Sequence, residues 1–387
     1  MILVYLILIF LALLIIFDIF LLLKPKSKLN IIPLKVSYKN NKLKELAEYN
    51  FEFKVINSSN NKETMIPHFL IKPQFFNAKN LIQINHQISI VIDDGVSIKE
   101  INNYWPTIII KSNSYIKVFA SVKVDNRLNK KINYLWLKIL WENYGHFGLK
   151  KRENYFLINK DINHSKEKTI YKIPLNNNYE VLAIKTNLLG AFDEPILTIK
   201  NYCKDIIKSG DILVIGETPL AIMQGRYLSP KNLEYNFLTK VLCYFFHPTS
   251  SLATACGMQL LINKIGITRV TISLLIGFLF KFIGIKGIFY RLTAPQSSLI
   301  DDISGTTIPY DKTIVLGPKH PSKLCNEISS LLKIDTAVVD VNDLGGVKIL
   351  ASSNNSLKRI LKDTLKNNPA GNDDQKTPIL LIRRVNN

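Results

Sequence analysis

Acidic residues are scarce in this sequence. The chain has 30 Asp and Glu against 50 Lys and Arg, and its formal net charge is +20. Arginine is scarcer still, at eight of those 50. Specific base or phosphate recognition favours Arg forks, and no run of five or six Lys occurs. A dedicated nucleic-acid surface is therefore disfavoured. The Lys residues, with abundant Asn and Ile, read as the codon bias of an AT-rich genome. They form solvated faces with a general attraction to an anionic membrane leaflet. Cysteine is limited to Cys203, Cys243, Cys256 and Cys325, with no C-x-x-C pairing and no His at zinc-like spacing. That excludes a disulfide framework and a structural zinc site, and suits reduced thiols. Gly 17 and Pro 16 are ordinary counts, so collagen-like and Pro-rich chains are excluded. No repeat of 20–50 residues suggests a solenoid, and no G-x-x-x-x-G-K-[ST] motif marks a P-loop.

What is present is apolar. The 387 residues are 47% hydrophobic, enough for about two domains with real cores. Residues 1–23 contain 19 Leu, Ile, Phe or Val. At roughly −0.3 to −0.6 kcal/mol each, these supply about −6 to −11 kcal/mol of insertion free energy, against at most about +3.5 for Asp18. No basic residue precedes the run and no small-x-small cleavage site follows, so an uncleaved anchor is expected rather than a signal peptide. Lys24, Lys26 and Lys28 follow it. The positive-inside rule then predicts a single-pass membrane protein with its soluble domains in the cytoplasm.

The spacing predicts an all-β, Ig-like sandwich domain over residues 31–177. Phe51, Phe53 and Val55 alternate with polar residues, and further runs of about 5–11 residues are bounded by turn residues. Trp105, Trp136 and Trp141 are expected in its core. His68, His86 and His146 are single and carry no chemistry. Asn176–Asn178 reads as a linker. Residues 179–387 alternate strand-like and helical patterns, so an α/β (α+β) domain is expected. In it, LTIKNYCKDIIKSGD reads as a helix closing on Gly210, and Thr249, Ser250 and Ser251 mark another helix start. Residues 270–285 read as a buried core helix, with a membrane-surface helix as the alternative.

Four segments carry residue types suited to chemistry. A strand ending at Gly216 releases Glu217, Thr218, Gln224, Gly225 and Arg226 past its carboxyl end, where α/β sheets place ligands. A buried strand with a tight turn would look the same. Asp301 and Asp302 are paired carboxylates suited to a hard cation, or to a solvated turn. Asp340, Asn342 and Asp343 end another strand before a Gly pair, with Asp340 and Asn342 expected on one face. His247 to Ser251 could meet a phosphate at a helix start, though plain capping is the simpler reading. Cys256 reads as packing.

In order, GDILVIGETPLAIMQGR, GIFYRL…LIDD, TIVLGPKHPSKLCNEI, TAVVDVNDLGG and TPILLIRRV resemble coenzyme F-420 gamma-glutamyl ligases over about Glu180 to Arg384. The resemblance includes neither the anchor nor the β domain. A membrane-anchored version is similar to ligase-like proteins predicted in cyanobacteria. The resemblance implies a GTP- or ATP-dependent acid–amino-acid ligase that forms a C–N bond between a small-molecule carboxylate and an amino acid, with Mg²⁺ or Mn²⁺. It implies nucleotide-binding Glu217, Thr218, Gln224, Gly225 and Arg226, and metal-binding Asp301, Asp302, Asn342 and Asp343. No specific nucleic acid is expected, and a homodimer is left open. Thr218 and Ile222 stand where that family has two lysines. A non-catalytic ligand-binding or scaffolding membrane protein on the same fold is the alternative.

Overall fold

The computed structural model describes residues 2–23, 26–41, 45–95, 97–101, 104–159, 169–176, 179–248, 250–293, 300–301, 303, 307–342, 345–371 and 375–385. The chain opens with an apolar helix, Ile2–Leu23, which is long and apolar enough to cross a membrane or to serve as a signal sequence.

A β-sandwich follows. One sheet runs in the order Leu29–Asn41, Leu46–Asn57, Ser114–Asp125, His86–Asp93, Ile98–Ile101. The other orders Gly148–Asn159, Tyr134–Gly145, Thr64–Asn77, Asn80–Ile82, with Ile108–Ile110 also paired to Thr64–Asn77. The two-residue period does what the sequence predicts. Along Leu46–Asn57 every second residue is buried, including Phe51, Phe53 and Val55. These meet Ile71, Leu137 and Ile139 of the facing sheet in one apolar core. All three tryptophans are buried, and Trp105 Nε1 donates to the Ile66 carbonyl at 2.9 Å.

The later region is built on a six-stranded mixed sheet, ordered Ile170–Asn176, Tyr179–Ile184, Ile379–Arg384, Ile212–Gly216, Asp335–Val341, Val347–Ser352. Strand Ile170–Asn176 thus pairs within this sheet rather than with the sandwich, so Asn176 ends a sheet strand instead of opening a linker. Asn177 and Asn178 lie outside the described residues. Only Ile212–Gly216 and Asp335–Val341 are parallel neighbours. Both are near-continuous buried runs, as strands covered on two faces should be. Helices Pro195–Cys203 and Pro321–Leu332 cover one face through Ile199, Tyr202, Leu324 and Ile328. Helix Lys358–Leu365 covers the other through Leu361 and Leu365. The helix expected to close on Gly210 ends earlier, at Cys203. Its start is fixed by Pro195 at the first turn and by the Glu194 carboxylate accepting from the Ile196 N–H at 3.2 Å.

A small sheet of Tyr227–Leu228, Ile314–Leu316 and Ile300–Asp301 lies beside this core. A helical unit of Phe237–Leu242, Ala255–Ile265, Ile267–Phe282 and Ile288–Leu292 has its own apolar cluster. Thr254 caps helix Ala255–Ile265, accepting from the Gly257 N–H at 3.1 Å, so the start lies later than the sequence suggests. Ser250 instead caps the short turn Ser251–Ala253, and Thr249 lies outside the described residues. Helix Ile267–Phe282 is not a core helix along its length. Ile267, Val270 and Ser273 are buried, but Phe278 to Phe282 are all exposed.

The sandwich and the later region pack on each other. Phe76, Tyr134, Trp136 and Leu157 meet Ala221, Ile222, Tyr310 and Val315, with Trp136 edge-on to Tyr310 at 5.0 Å. Asn232 adds polar stitching, donating to the Glu153 carbonyl at 2.7 Å and accepting from its N–H at 2.8 Å.

Candidate functional site

The two parallel strands end side by side, with Gly216 opposite Val339. The next residues on each, Glu217 and Asp340, therefore emerge together at the carboxyl end of the sheet. This is where open α/β sheets present ligand sites. Helix Glu217–Met223 begins directly after the strand, and Gly216 supplies the extended residue that joins them. Asp301 arrives from the small sheet and accepts from the Thr218 hydroxyl at 2.7 Å. Thr218 also reaches Glu217 Oε2 at 3.4 Å. Lys348 stands opposite Asp340 in the antiparallel hairpin Asp335–Ser352. Glu217, Thr218, Asp301 and Asp340 line one cavity of about 430 Å³, walled further by Thr307 and Lys376.

The electrostatics follow from crowding carboxylates into a largely buried site. Burial pushes the Glu217 carboxyl up to about 8, and repulsion from Asp301 and Asp340 adds to it. Lys348 and the Thr218 hydroxyl oppose that rise. Asp301 is raised chiefly by burial and then by Asp340, with the Thr218 hydrogen bond pulling it back. Asp340 is raised by burial and held back by Lys348. Burial lowers Lys348, while Asp340 and Glu217 favour its charged form. Strongly perturbed acids gathered in a cleft are a recurring mark of functional sites.

The sequence-predicted residues divide. Glu217, Thr218 and Asp301 come together at the cavity. Gln224 and Arg226 lie at the other end of helix Glu217–Met223, about 10 Å away at 1.5 Å per residue. They do not line the cavity. Gln224 donates to the Lys319 carbonyl at 3.0 Å and accepts from its N–H at 2.6 Å, and Arg226 Nε donates to the Gly317 carbonyl. Both therefore clamp the loop after strand Ile314–Leu316. Gly225 has φ +65°, so its role is the left-handed turn. Asn342 also misses the cavity. It lies past the end of its strand, where its Oδ1 accepts from the Gly346 N–H at 2.8 Å and closes the turn. Asp302 and Asp343 lie outside the described residues. Asp340 occupies the place that the resemblance gave to Asn342 and Asp343. Lys348 was missed, because only the hairpin register brings it opposite Asp340.

Among the described residues, no three His, Cys, Asp or Glu converge closely enough to hold a metal ion by themselves. None of the four cysteines is in a disulfide; three are buried and Cys256 is half-buried.

Residues 34–161 match the N-terminal Ig-like domain of F420-0:gamma-glutamyl ligase. The family match thus falls on the sandwich, the region the sequence resemblance left out, and not on the C-terminal half from which that resemblance was drawn. It spans less than half of the chain. No curated protein matches this chain in sequence. Among solved structures, the putative ApaA protein from Bordetella pertussis is 8% identical, covering 36% of this chain and 99% of its own, with TM-score 0.21. The yeast GGA1 GAE domain is 15% identical, covering 35% and 95%, also with TM-score 0.21.

Proposed function

We propose that this chain is a membrane-anchored, nucleotide- and metal-dependent ligase that joins a small-molecule carboxylate to an amino acid amine. The observation that carries the reading is the meeting of Glu217, Asp301 and Asp340 with Thr218 in one cavity at the ends of the parallel strands. The Ig-like match lends it a gamma-glutamyl ligase setting. In this reading the chain divides into an anchor (1–23), a sandwich whose strands end at Asn159 and a ligase-like unit that opens with strand Ile170–Asn176, with both soluble parts in the cytoplasm.

The chemistry is a two-step condensation. The substrate carboxylate attacks the terminal phosphorus of GTP or ATP, and the nucleoside diphosphate leaves. The amine of the amino acid then attacks the acyl carbon, and phosphate leaves. A Mg²⁺ or Mn²⁺ held here would supply charge neutralisation at the phosphoryl oxygens. Asp301 and Asp340 offer the hard oxygen donors such an ion prefers, and two carboxylates suffice where phosphate oxygens and water complete the shell. Thr218 holds Asp301 in place through its hydroxyl. In its ionised form, which its value of about 8 makes available as the pH rises toward 8, Glu217 takes the proton shed by the attacking amine.

A second reading is a binding protein without catalysis. One observation favours it: Ile222, where the resembling family has lysine, is buried against Tyr310 and Val315. Calorimetric titration of GTP and ATP, with Mg²⁺ or Mn²⁺, into the purified full chain separates the two. The ligase reading expects metal-dependent binding that Asp301→Asn weakens by about 10- to 100-fold, the range of a lost charge-assisted contact. Binding untouched by Asp301→Asn would overturn the metal assignment. No binding by the folded chain would overturn the ligase reading.

A further inference from the structure

Helices Ile267–Phe282 and Ile288–Leu292 form a hairpin whose base is tied to the N-terminal helix. Asp18 accepts from the backbone N–H groups of Ile267 and Thr268, each at 2.8 Å, and from the Thr268 hydroxyl. The one charged residue in the apolar helix is thereby spent on the positive end of a second helix. Gly266 makes the approach possible: its φ is +83°, and a Cβ there would stand 3.3 Å from Asp18 Oδ2. Along the N-terminal helix the least exposed residues are Leu11, Leu14, Phe17, Asp18 and Leu21, a single stripe at helical spacing. The remaining residues described on that helix are mostly exposed and apolar.

From this base the hairpin projects outward. Arg269 clasps its foot, donating from Nη2 to the Leu292 carbonyl at 2.7 Å. Gly277 lets it close tightly, since a Cβ there would lie 3.1 Å from Phe289. Beyond Gly277 its residues are exposed among the described residues. Phe278, Leu279, Phe282 and Ile283 are 55%, 62%, 77% and 74% exposed, and Ile285 is exposed with them. Lys281 and Lys286 are set among these apolar residues. The charge of the whole segment is one-sided. Between Glu234 and Asp301 there is no Asp or Glu, but six Lys or Arg.

We infer that the hairpin tip, residues 278–286, inserts into the membrane leaflet beside the N-terminal helix as a second, monotopic contact with an anionic lipid surface. This rests on the reading that helix Ile2–Leu23 lies in the bilayer. Three observations choose lipid over a protein partner. The tip is fixed to a helix that is itself apolar on nearly all sides. Its apolar residues are long and aromatic, which suits the acyl boundary. Its only charges are Lys, whose stems reach headgroups while their ammonium ions meet anionic lipid.

The test uses the full chain in nanodiscs of phosphatidylcholine and phosphatidylglycerol whose acyl chains carry bromine, a contact quencher of indole emission. Three variants are compared: Phe10→Trp in the N-terminal helix, Phe282→Trp at the tip and Lys323→Trp on the exposed helix Pro321–Leu332. The native Trp105, Trp136 and Trp141 are buried in the sandwich and give a constant background. The inference expects brominated lipid to remove most of the added emission at positions 10 and 282 and none at 323. Leu279→Trp serves as a second tip position with the same expectation. Quenching at 10 without quenching at 282 or 279 overturns the hairpin contact and leaves the anchor standing. That pattern is also what a tip reserved for a protein partner would give. Quenching at none of the positions removes the anchor reading and the inference with it. Equal quenching at 323 means non-specific adsorption and overturns the inference.

Discussion

The sandwich and the later region spend similar apolar resources on different ends. The sandwich closes a continuous core of Phe, Ile, Val and Trp side chains between two sheets. Along Leu46–Asn57 its burial follows a strict two-residue period, and charged residues pair at the surface, as Lys117 does with Glu52 at 3.2 Å. The later region splits its apolar side chains among several smaller clusters and leaves a cavity between them. Into that cavity it drives three carboxylates whose proton affinities all rise. A well-packed core leaves no room for chemistry. A core divided around the ends of two parallel strands creates the room, and the cost appears as acids held away from their ordinary ionisation.

The contrast can be broken most severely in the sandwich. Phe53 is fully buried between the sheets, so Phe53→Ala should cost about 3–5 kcal/mol. Urea denaturation followed by tryptophan emission reads that loss. The variant should still bind nucleotide with wild-type affinity below its melting range. If binding fell together with stability, the two regions would be one cooperative unit.

A smaller effect, on the order of a few kcal/mol, is expected from Glu217. Its folded value of about 8 stands above an ordinary carboxyl, so the folded state holds a proton that the unfolded chain has released. Stability is therefore greatest below the unfolded value near 4.5 and falls as the pH rises toward 8. Melting temperatures between pH 5 and 8 should show this slope, and Glu217→Gln should flatten it. An unchanged slope in the variant would place the strain elsewhere.

The smallest effect sits at the junction. Tyr310 donates its buried hydroxyl to the Leu189 carbonyl at 2.8 Å, so Tyr310→Phe should cost about 1 kcal/mol. The measurement is the difference in urea midpoint from wild type. A loss several times larger would mean that this hydroxyl organises the cavity as well as the contact.

Much of this plan was legible in the sequence wherever one element decides the outcome. The apolar helix needs only its composition, and Phe51, Phe53 and Val55 need only their alternation. Gly216 announced a strand end, and Glu217, Thr218 and Asp301 did meet. What was hidden depends on pairing between distant segments. Gln224 and Arg226 are suited to phosphate by type, but the loop at Gly317 to Lys319 occupies them. Asn342 looked like a ligand and is a turn residue, because the strand stops one residue earlier. Lys348 could be seen only through its register with Asp340. Helix Ile267–Phe282 has the hydropathy of a core helix, and hydropathy cannot tell a buried face from an exposed apolar one.

The bond between Asp18 and residues 267 and 268 also bears on the order of synthesis. Its partners are 249 and 250 residues apart in the chain. At about 5–20 residues per second, roughly 12–50 s pass between the emergence of Asp18 and that of the helix it caps. Until then the carboxylate has no cap to make and must stay hydrated. Helix Ile2–Leu23 therefore acquires this neighbour only after residue 268 has been made.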